Sequence, residues 1–487
     1  MITRAERFLD NRGMPMSQML QSVLREHLAA LPRLQRLGDY YRANNAIASR
    51  KRAEGLPNNR IAHPFARYIV SVATSYLIGQ PASYSADGFE DALAPISEAY
   101  RRCSITSVDI ENARHAAIYG RGVEYIHTAM NEATGAITPQ ACALSPEQAF
   151  VVYDDTHESK PLFGVYFTHN TREDGMPDGY HIWVMGRSTI VELLSPDLNA
   201  GNFSVVKESQ HYFGGVPLVE YWNDEDEIGD FEWVIPLIDA YDVLQSDRVN
   251  DKQQFVDKLL LLYGCTLETD AQGRKPWQQL REDKALCLPD NDSRAEYLQG
   301  QMQEADVEVL RAALENDIHK LSLVPNMSDQ NFAANASGVA MRYKLMGLDQ
   351  LISVKQQWFI EGLRARLRLF VNFSAVQGNP ALDPADVKIT LTRAMPANML
   401  ELAEIAQAAD SASAASTETK VRLLHSGDDW TEDQIMAEVD KIENEDSRSD
   451  PQMQMGNLLY GNVDPQLDDQ PEGQAETVPP EAPESEA

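Results

Sequence analysis

The stretch that most constrains this chain is one that cannot be buried. Residues 324–337 read Val-Pro-Asn-Met-Ser-Asp-Gln-Asn-Phe-Ala-Ala-Asn-Ala-Ser, with no apolar period and a break at Pro325. Such a segment offers no face to a core. It reads as a long polar loop, and loops of that length inside folded proteins are functional or disordered. Long helices bracket it. Before it, Val307, Leu310, Leu314, Ile318 and Leu321 recur at steps of three and four between Met302 and Ser322. After it, Ser337 caps a helix from about Gly338 to Phe370, with Leu345, Leu348, Ile352, Phe359 and Leu363 on one face.

A further helix is predicted from Pro236 to about Leu262, with Leu237, Tyr241, Leu244, Phe255, Leu259 and Leu262 sharing a face. At 1.5 Å per residue it would be roughly 40 Å long. Its middle, Gln245 to Gln254, is polar, which predicts exposure to solvent or to sister subunits. Residues 263–300 read as a small insertion with strand-like runs at Cys265–Glu268 and Ala285–Leu288. It would sit at the far tip of two antiparallel helices.

Upstream, the first 67 residues read as helical and peripheral, with amphipathic stretches such as Met19 to Leu31. From Ala62 to Ile78, Phe65, Ile69, Val72 and Tyr76 mark an amphipathic helix, closed by Gly79-Gln80-Pro81. Between about 120 and 222 the period changes. Val123–Ala129, Phe150–Tyr153, Leu162–Phe167, His181–Met185 and Thr189–Leu193 are β-branched and aromatic runs separated by turn residues, predicting an antiparallel meander. A short strand is expected at Val387–Thr392, and Ala-rich helices from Met399 to about Asn444. The tail, 451–487, holds six Pro, eight acids and no base, and reads as disordered. The fold class is α+β, predominantly helical, over two to four domains.

The formal charge of −32 is unevenly spread: residues 1–67 carry twelve Lys/Arg against five Asp/Glu. A chain this acidic is not expected to bind DNA tightly by neutralising phosphates, which needs clustered Lys and Arg, so any contact with DNA is expected to be loose. The longest apolar stretch, Tyr68 to Gly79, is far short of the roughly 20 residues that span a bilayer. With no charged-then-apolar leader, a soluble protein made in a cytoplasm is expected. Cys103, Cys142, Cys265 and Cys287 are scattered, without metal-ligand spacing, and read as reduced thiols.

Catalytic signatures are missing: no Walker A sequence, no HExxH, no GxSxG. Gly120-Arg121-Gly122 starts like a dinucleotide loop but has Tyr125 in place of the third glycine and precedes a strand. Asp224, Glu225, Asp226, Glu227 and Asp230 could gather round a divalent cation, or form a solvated turn ahead of Pro236. His63, His115 and His127 read as satisfied, partly buried side chains. Arg364, Arg366 and Arg368 read as a solvated helix end or as subunit-interface ion pairs. No catalytic residue, cofactor site or metal site is predicted.

Several stretches, in order, resemble one family. They are Asn58-Asn59-Arg60-Ile61 with His63-Pro64-Phe65-Ala66-Arg67-Tyr68; Tyr76-Leu77-Ile78-Gly79-Gln80-Pro81; Gly120-Arg121-Gly122-Val123-Glu124-Tyr125; Pro146-Glu147-Gln148-Ala149-Phe150; Gly215-Val216-Pro217-Leu218-Val219-Glu220-Tyr221; and Asn335-Ala336-Ser337-Gly338-Val339-Ala340. The chain is similar to the portal proteins of tailed bacteriophages, of the SPP1 type, from about residue 40 to 400. The resemblance implies a closed ring of about twelve identical subunits at one capsid vertex. It divides the chain into N-terminal helices and wing (1–235), stem helices (236–262 and 301–323) and a clip between them (263–300). A tunnel loop (324–337), a long kinked helix with a wing strand (338–396), crown helices (397–450) and the acidic tail follow. It implies loose, sequence-independent contact with double-stranded DNA through Asn326, Ser328, Asp329, Gln330, Asn331 and Asn335, with Pro325 and Gly338 as loop hinges. The implied partners are the terminase large subunit, a head-completion or tail adaptor protein, and the major capsid and scaffolding proteins. No membrane is implied; the place is the virion, and the host cytoplasm during assembly. Two other readings compete: a minor capsid or shell protein that conducts no DNA, and a metal-dependent hydrolase using the 224–230 carboxylates.

Overall fold

The computed structural model describes residues 1–10, 13–54, 56–130, 135, 137–171, 177–256, 259–263, 294–298, 304–327, 338–393, 399–412, 415–425 and 435–442. The chain divides into two compact units, Met1–Met395 and Pro396–Ala487.

The first unit opens with strand β1 (Ile2–Arg4), helices α1 (Ser17–Tyr41) and α2 (Phe65–Ile78), strand β2 (Ser83–Ser85), and helices α3 (Glu90–Arg102) and α4 (Ile105–Tyr119). Eight strands follow: β3 (Arg121–Met130), β4 (Ile137–Leu144), β5 (Ala149–Asp154), β6 (Pro161–Thr171), β7 (Pro177–Met185), β8 (Thr189–Ser195), β9 (Ser204–Gln210) and β10 (Leu218–Trp222). Then come helix α5 (Ile235–Val256), strands β11 (Leu259–Tyr263) and β12 (Arg294–Leu298), helices α6 (Glu304–Ser322) and α7 (Gly338–Val376), and strand β13 (Lys388–Thr390).

The expected meander divides: the four runs from Phe150 to Leu193 lie in a six-stranded sheet of order β1-β5-β6-β7-β8-β9, antiparallel except that β1 lies parallel to β5, while Val123–Ala129, expected in the same meander, is part of β3 in a separate sheet. A second sheet, β10-β3-β4, packs against it through Val123, Val151, Met185, Val216 and Leu218. The main core gathers α1 to α5, α7 and β10 around Leu37, Ile69, Tyr221, Ile238, Leu348 and Leu367.

Helix α1 corrects the peripheral reading of the N-terminus. Its first half puts Leu20, Val23 and Leu24 under the large sheet, and its second half puts Leu34, Leu37 and Tyr40 into the main core. The apolar stripe is continuous over 25 residues, long enough to join two cores. Helices α3 and α4 add to the expected elements. Helix α3 carries a helical stripe, Leu93, Ile96 and Tyr100, alongside Pro95, whereas α4 buries Asp109 and Asn112 on the face where apolar residues would mark it.

Two other expectations change. Helix α5 ends at Val256 and not near Leu262; Leu259 to Tyr263 form β11, paired antiparallel with β12. Four consecutive leucines carry no helical period and suit a strand equally well. The strand-like runs at Cys265–Glu268 and Ala285–Leu288 lie outside the described residues, as does the tail 451–487.

The arginine trio is also not a solvated helix end. Helix α7 continues to Val376, and while Arg364 and Arg368 are exposed, Arg366 has no exposed surface. Its guanidinium donates to Tyr84 Oη at 2.8 Å, Glu124 Oε1 at 3.3 Å and both Asp109 carboxylate oxygens, and lies 5.1 Å over the Tyr100 ring. Tyr221 Oη donates to the other Glu124 oxygen. Burial pushes the Glu124 carboxyl up, while Arg366 pulls it back toward the charged form. This cluster ties α7 to α4, β2, β3 and β10. Breaking it by removing one partner costs about 3–5 kcal/mol, since the rest is left as uncompensated buried charge.

In the second unit, α8 (Met399–Ser411) and α9 (Thr417–Leu424) are followed by a helical turn at 435–442, and Val421, Ile435 and Val439 form a small core. Ser416 caps α9, accepting from Thr419 N at 3.2 Å.

Candidate functional site

Helices α5 and α6 meet through charge. Arg248 donates to Glu304 and Glu308 at 3.0 Å each, Lys252 reaches Glu304 at 2.7 Å, and Arg311 donates to Tyr241 Oη at 3.4 Å. Rising numbers on α5 against falling numbers on α6 fix the antiparallel sense.

A neighbouring face of α5 is polar and buried. Asp242, Ser246 and Asn250, at four-residue steps, have no exposed surface and lie against the irregular segment 43–64. Among its described residues that segment has one short helical turn of its own, Ala46–Ser49, so its other N–H groups need partners from elsewhere. Helix α5 supplies them. Asp242 Oδ1 accepts from His63 N at 2.9 Å and His63 Nδ1 at 2.8 Å, while its Oδ2 accepts from Asn45 Nδ2 at 2.6 Å. Ser246 Oγ accepts from Ile61 N at 3.0 Å, and Asn250 Oδ1 from Asn59 N at 2.7 Å and Asn59 Nδ2 at 2.9 Å. The polar middle of α5, expected to face solvent or a sister subunit, is therefore largely occupied within its own chain.

At its far end α6 delivers the polar loop. Leu323 turns left-handed (φ 58), a conformation that costs a branched residue about 1–2 kcal/mol. The next four residues are then held. His319 Nδ1 donates to Val324 O at 3.0 Å, and Asn326 Nδ2 donates to Glu315 Oε1 at 3.0 Å. Tyr68 Oη, from α2, donates to Pro325 O at 2.8 Å and accepts from Met327 N at 2.9 Å. A cavity of about 650 Å³ opens beside this root, between α6 and Lys344 of α7. A second, of about 260 Å³, lies between α2 and α6, where Phe65 and Tyr68 face His319.

Residues 20–452 match the family described as phage portal protein, SPP1 Gp6-like. The chain belongs to the phage portal protein family. The portal protein of Bacillus phage SPP1 is 22% identical over 382 residues, covering 74% of this chain and 73% of the relative. That of Clostridium phage phiCD119 is 24% identical over 230 residues, 47% of this chain and 48% of the relative. A solved structure, the neck of an empty GTA particle computed with C6 symmetry, aligns at 14% identity over 74% of this chain and 90% of that one, with a TM-score of 0.42. Portal proteins are structural and not enzymatic.

Within this portal-family chain, the candidate site residues separate. Pro325 and Asn326 stand at the held root, and Gly338 is the first residue of α7. Ser328, Asp329, Gln330, Asn331 and Asn335 lie outside the described residues. Sequence reasoning missed Tyr68, Glu315 and His319. Nothing local marks Tyr68 or His319 as meeting a segment elsewhere in the chain, since Tyr68 and Pro325 are 257 positions apart.

The carboxylates at 224–230 diverge. Asp224 accepts from Ile228 N at 2.9 Å, Glu227 meets Arg121 at 3.3 Å, and Asp230 is buried against Lys355 Nζ at 2.6 Å. Among the described residues, no group of three His, Cys, Asp or Glu could hold a metal ion, and no helix is long and apolar enough to cross a membrane. Gly120 is explained by packing: it ends α4 at φ +86, where a Cβ would lie 1.9 Å from Glu227 O.

Proposed function

We propose that this chain is the subunit of a portal ring, the head–tail connector at one capsid vertex through which double-stranded DNA is packaged and later ejected. Membership of the portal family across residues 20–452, a span that takes in both long helices and the loop, carries the reading. Helices α5 and α6 are the staves of the channel. The segment between them is the clip that docks the terminase large subunit and then the tail adaptor, and residues 397–450 form the crown. About twelve copies close the ring. Capsid and scaffolding proteins surround it in the virion, and it assembles in the host cytoplasm.

Asn326, Ser328, Asp329, Gln330, Asn331 and Asn335 present amides, a hydroxyl and one carboxylate to the DNA. Such contacts are weak and exchangeable, where clustered bases would grip the phosphates and act as a brake. Pro325 and Gly338 are the loop hinges in this reading, with Pro325 to Met327 as the anchored end of the loop. Helix α6 hands over a root held by Tyr68, His319 and Glu315, so a change of loop pose leaves the stem undisturbed.

The test is deletion of Asp329–Ala334, which leaves closed rings in negative-stain images but lowers DNA packaging severely. Normal packaging by the deletion favours a shell protein that conducts no DNA. A stable monomer at micromolar concentration across several salt conditions overturns the ring itself.

A further inference from the structure

We propose that Lys355 and Asn223 join in an intramolecular isopeptide bond, formed by the chain itself with Asp230 as the proton carrier.

Among the described residues, Lys355 is the only buried lysine. It stands on α7 between Ile352 and Phe359, both sealed in the main core. Its Nζ donates to Asp230 Oδ2 at 2.6 Å and to Oδ1 at 2.9 Å, and the two side chains are 5% and 1% exposed. A pair this dry is a weak source of stability, because desolvating two charges offsets most of their attraction. A third group shares the site. Asn223, also buried, donates through Nδ2 to the same Asp230 Oδ1 at 2.9 Å and to Ile228 O at 2.8 Å. Carboxylate and carbonyl oxygens only accept, so these contacts fix which end of the amide faces Asp230.

The backbone pins both partners. Asn223 N donates to Gly120 O at 2.9 Å and Asp230 N to Ala117 O at 2.8 Å, so the two ends of the 223–230 turn are tied to the C-terminal end of α4. The turn is seated closely there: a Cβ at Gly229 would lie 2.4 Å from Ile118 O. Groups held together in this way react far faster than the same groups free in water.

An ion pair asks only for a base and an acid. Here an amine that can act as nucleophile and an amide nitrogen that can leave hang on one carboxylate, the placement a proton relay between them requires. Asp230 takes one proton from the Nζ ammonium. The freed lone pair attacks Cγ of Asn223, and the carbonyl π pair moves onto Oδ1. Asp230 passes its proton to Nδ2. The pair on Oδ1 returns, the Cγ–Nδ2 bond breaks, and ammonia leaves. A second Nζ proton goes to Asp230, from which the departing ammonia can take it as ammonium, and the third stays on the new amide. No oxidant or co-reactant enters.

The bond would lock the end of β10 to α7 and close a long loop of chain, which restrains the unfolded state more as the loop lengthens. It forms once in each chain and turns nothing over, so it suits a protein that is structural and not enzymatic.

Intact-mass spectrometry of the purified full-length chain tests this. The expected mass is that of the sequence less one ammonia, and peptide mapping should recover a branched peptide that joins the stretches around residues 223 and 355. Lys355→Arg keeps the charge but offers no neutral amine, and Asp230→Asn removes the proton carrier; both should stand at full sequence mass. The branched peptide is read from the wild-type chain, so a variant that fails to fold leaves the test intact. Full sequence mass in the wild type, unchanged on prolonged incubation at neutral pH, overturns the proposal and leaves an ion pair. Loss of one water in place of one ammonia also overturns it, since the bond would then run from Lys355 to Asp230. An ammonia loss that persists in Lys355→Arg belongs to another residue and overturns it as well.

Discussion

Helix α5 carries two polar faces that similar residues build in opposite ways. Toward segment 43–64, Asp242, Ser246 and Asn250 are sealed from water and accept hydrogen bonds from the backbone or side chains of Asn45, Asn59, Ile61 and His63. Toward α6, Arg248 and Lys252 meet Glu304 and Glu308, whose carboxylates are about half exposed (48% and 47%). Ion pairs are conspicuous on the second face, yet the first is the one that holds the fold. A half-exposed pair exchanges hydration for a partner of similar worth. A buried acceptor has no such alternative, and neither do the donors it serves.

The sharpest way to break this comparison is Asp242→Ala. It leaves His63 N, His63 Nδ1 and Asn45 Nδ2 without their acceptor, so the expected loss is about 3 kcal/mol or more in chemical denaturation. Segment 43–64 should also become the first site of proteolysis. A loss too small to resolve would mean that water satisfies these donors and that the face is not sealed.

The same rule can be tested by changing a charge state. His27 stacks on Phe150 at 4.5 Å, its Nε2 meets Glu147 O at 3.0 Å, and burial pulls its pKa down to about 4; burial does the same to His115. For such a group the unfolded chain binds the proton first, below pH 6.5. Stability from each histidine is therefore present above pH 6.5 and falls away as pH drops toward 4, by up to about 3 kcal/mol. Buried Glu124 and Glu220, both pushed up, act in the opposite sense. The clean readout is hence the difference between the unmodified protein and His27→Phe. The variant should lose distinctly less stability between pH 7 and 5, and parallel curves would show that His27 is charged or solvated in the fold.

What the sequence discloses follows from which forces are local. Helix α2, the polar loop and the strands from β5 to β8 announce themselves because one period, or its absence, runs through consecutive residues. Helix α1 discloses its period but not its reach, since nothing in Leu20 or Leu37 says that they enter different cores. Arg366 could not be read at all. Its partners, Asp109, Glu124 and Tyr84, are more than 240 residues away, and a basic residue near a helix C-terminus is ordinarily a surface charge. The loop root is hidden in the same way, as Tyr68 and Pro325 are 257 positions apart. Of the candidate loop residues, the pattern picks out a polar segment but not which members are held.

Tyr68→Phe probes that root with a smaller effect. It deletes one hydroxyl that donates to Pro325 O and accepts from Met327 N, so about 1 kcal/mol is expected. Amide exchange at Met327 should rise while exchange in α2 stays fixed. Unchanged exchange at Met327 would put the hold on His319 and Glu315 alone.

The smallest effect belongs to the other face of α5. Lys252 first, then Arg248, hold the Glu304 carboxyl below the usual range, and Arg311 does most to lower Glu308. Both carboxylates keep water on their open side, so Arg248→Ala should leave the denaturation midpoint unchanged within replicate error. The Arg248→Ala, Glu308→Gln double variant should show no coupling beyond that error, at low salt and at 0.5 M alike. If the coupling instead equals or exceeds the Asp242→Ala loss, the stem is held by charge, and ranking the two faces by burial fails. A measurable coupling that vanishes at high salt would keep the ranking and give these ion pairs a separate task, setting the register of α6 against α5.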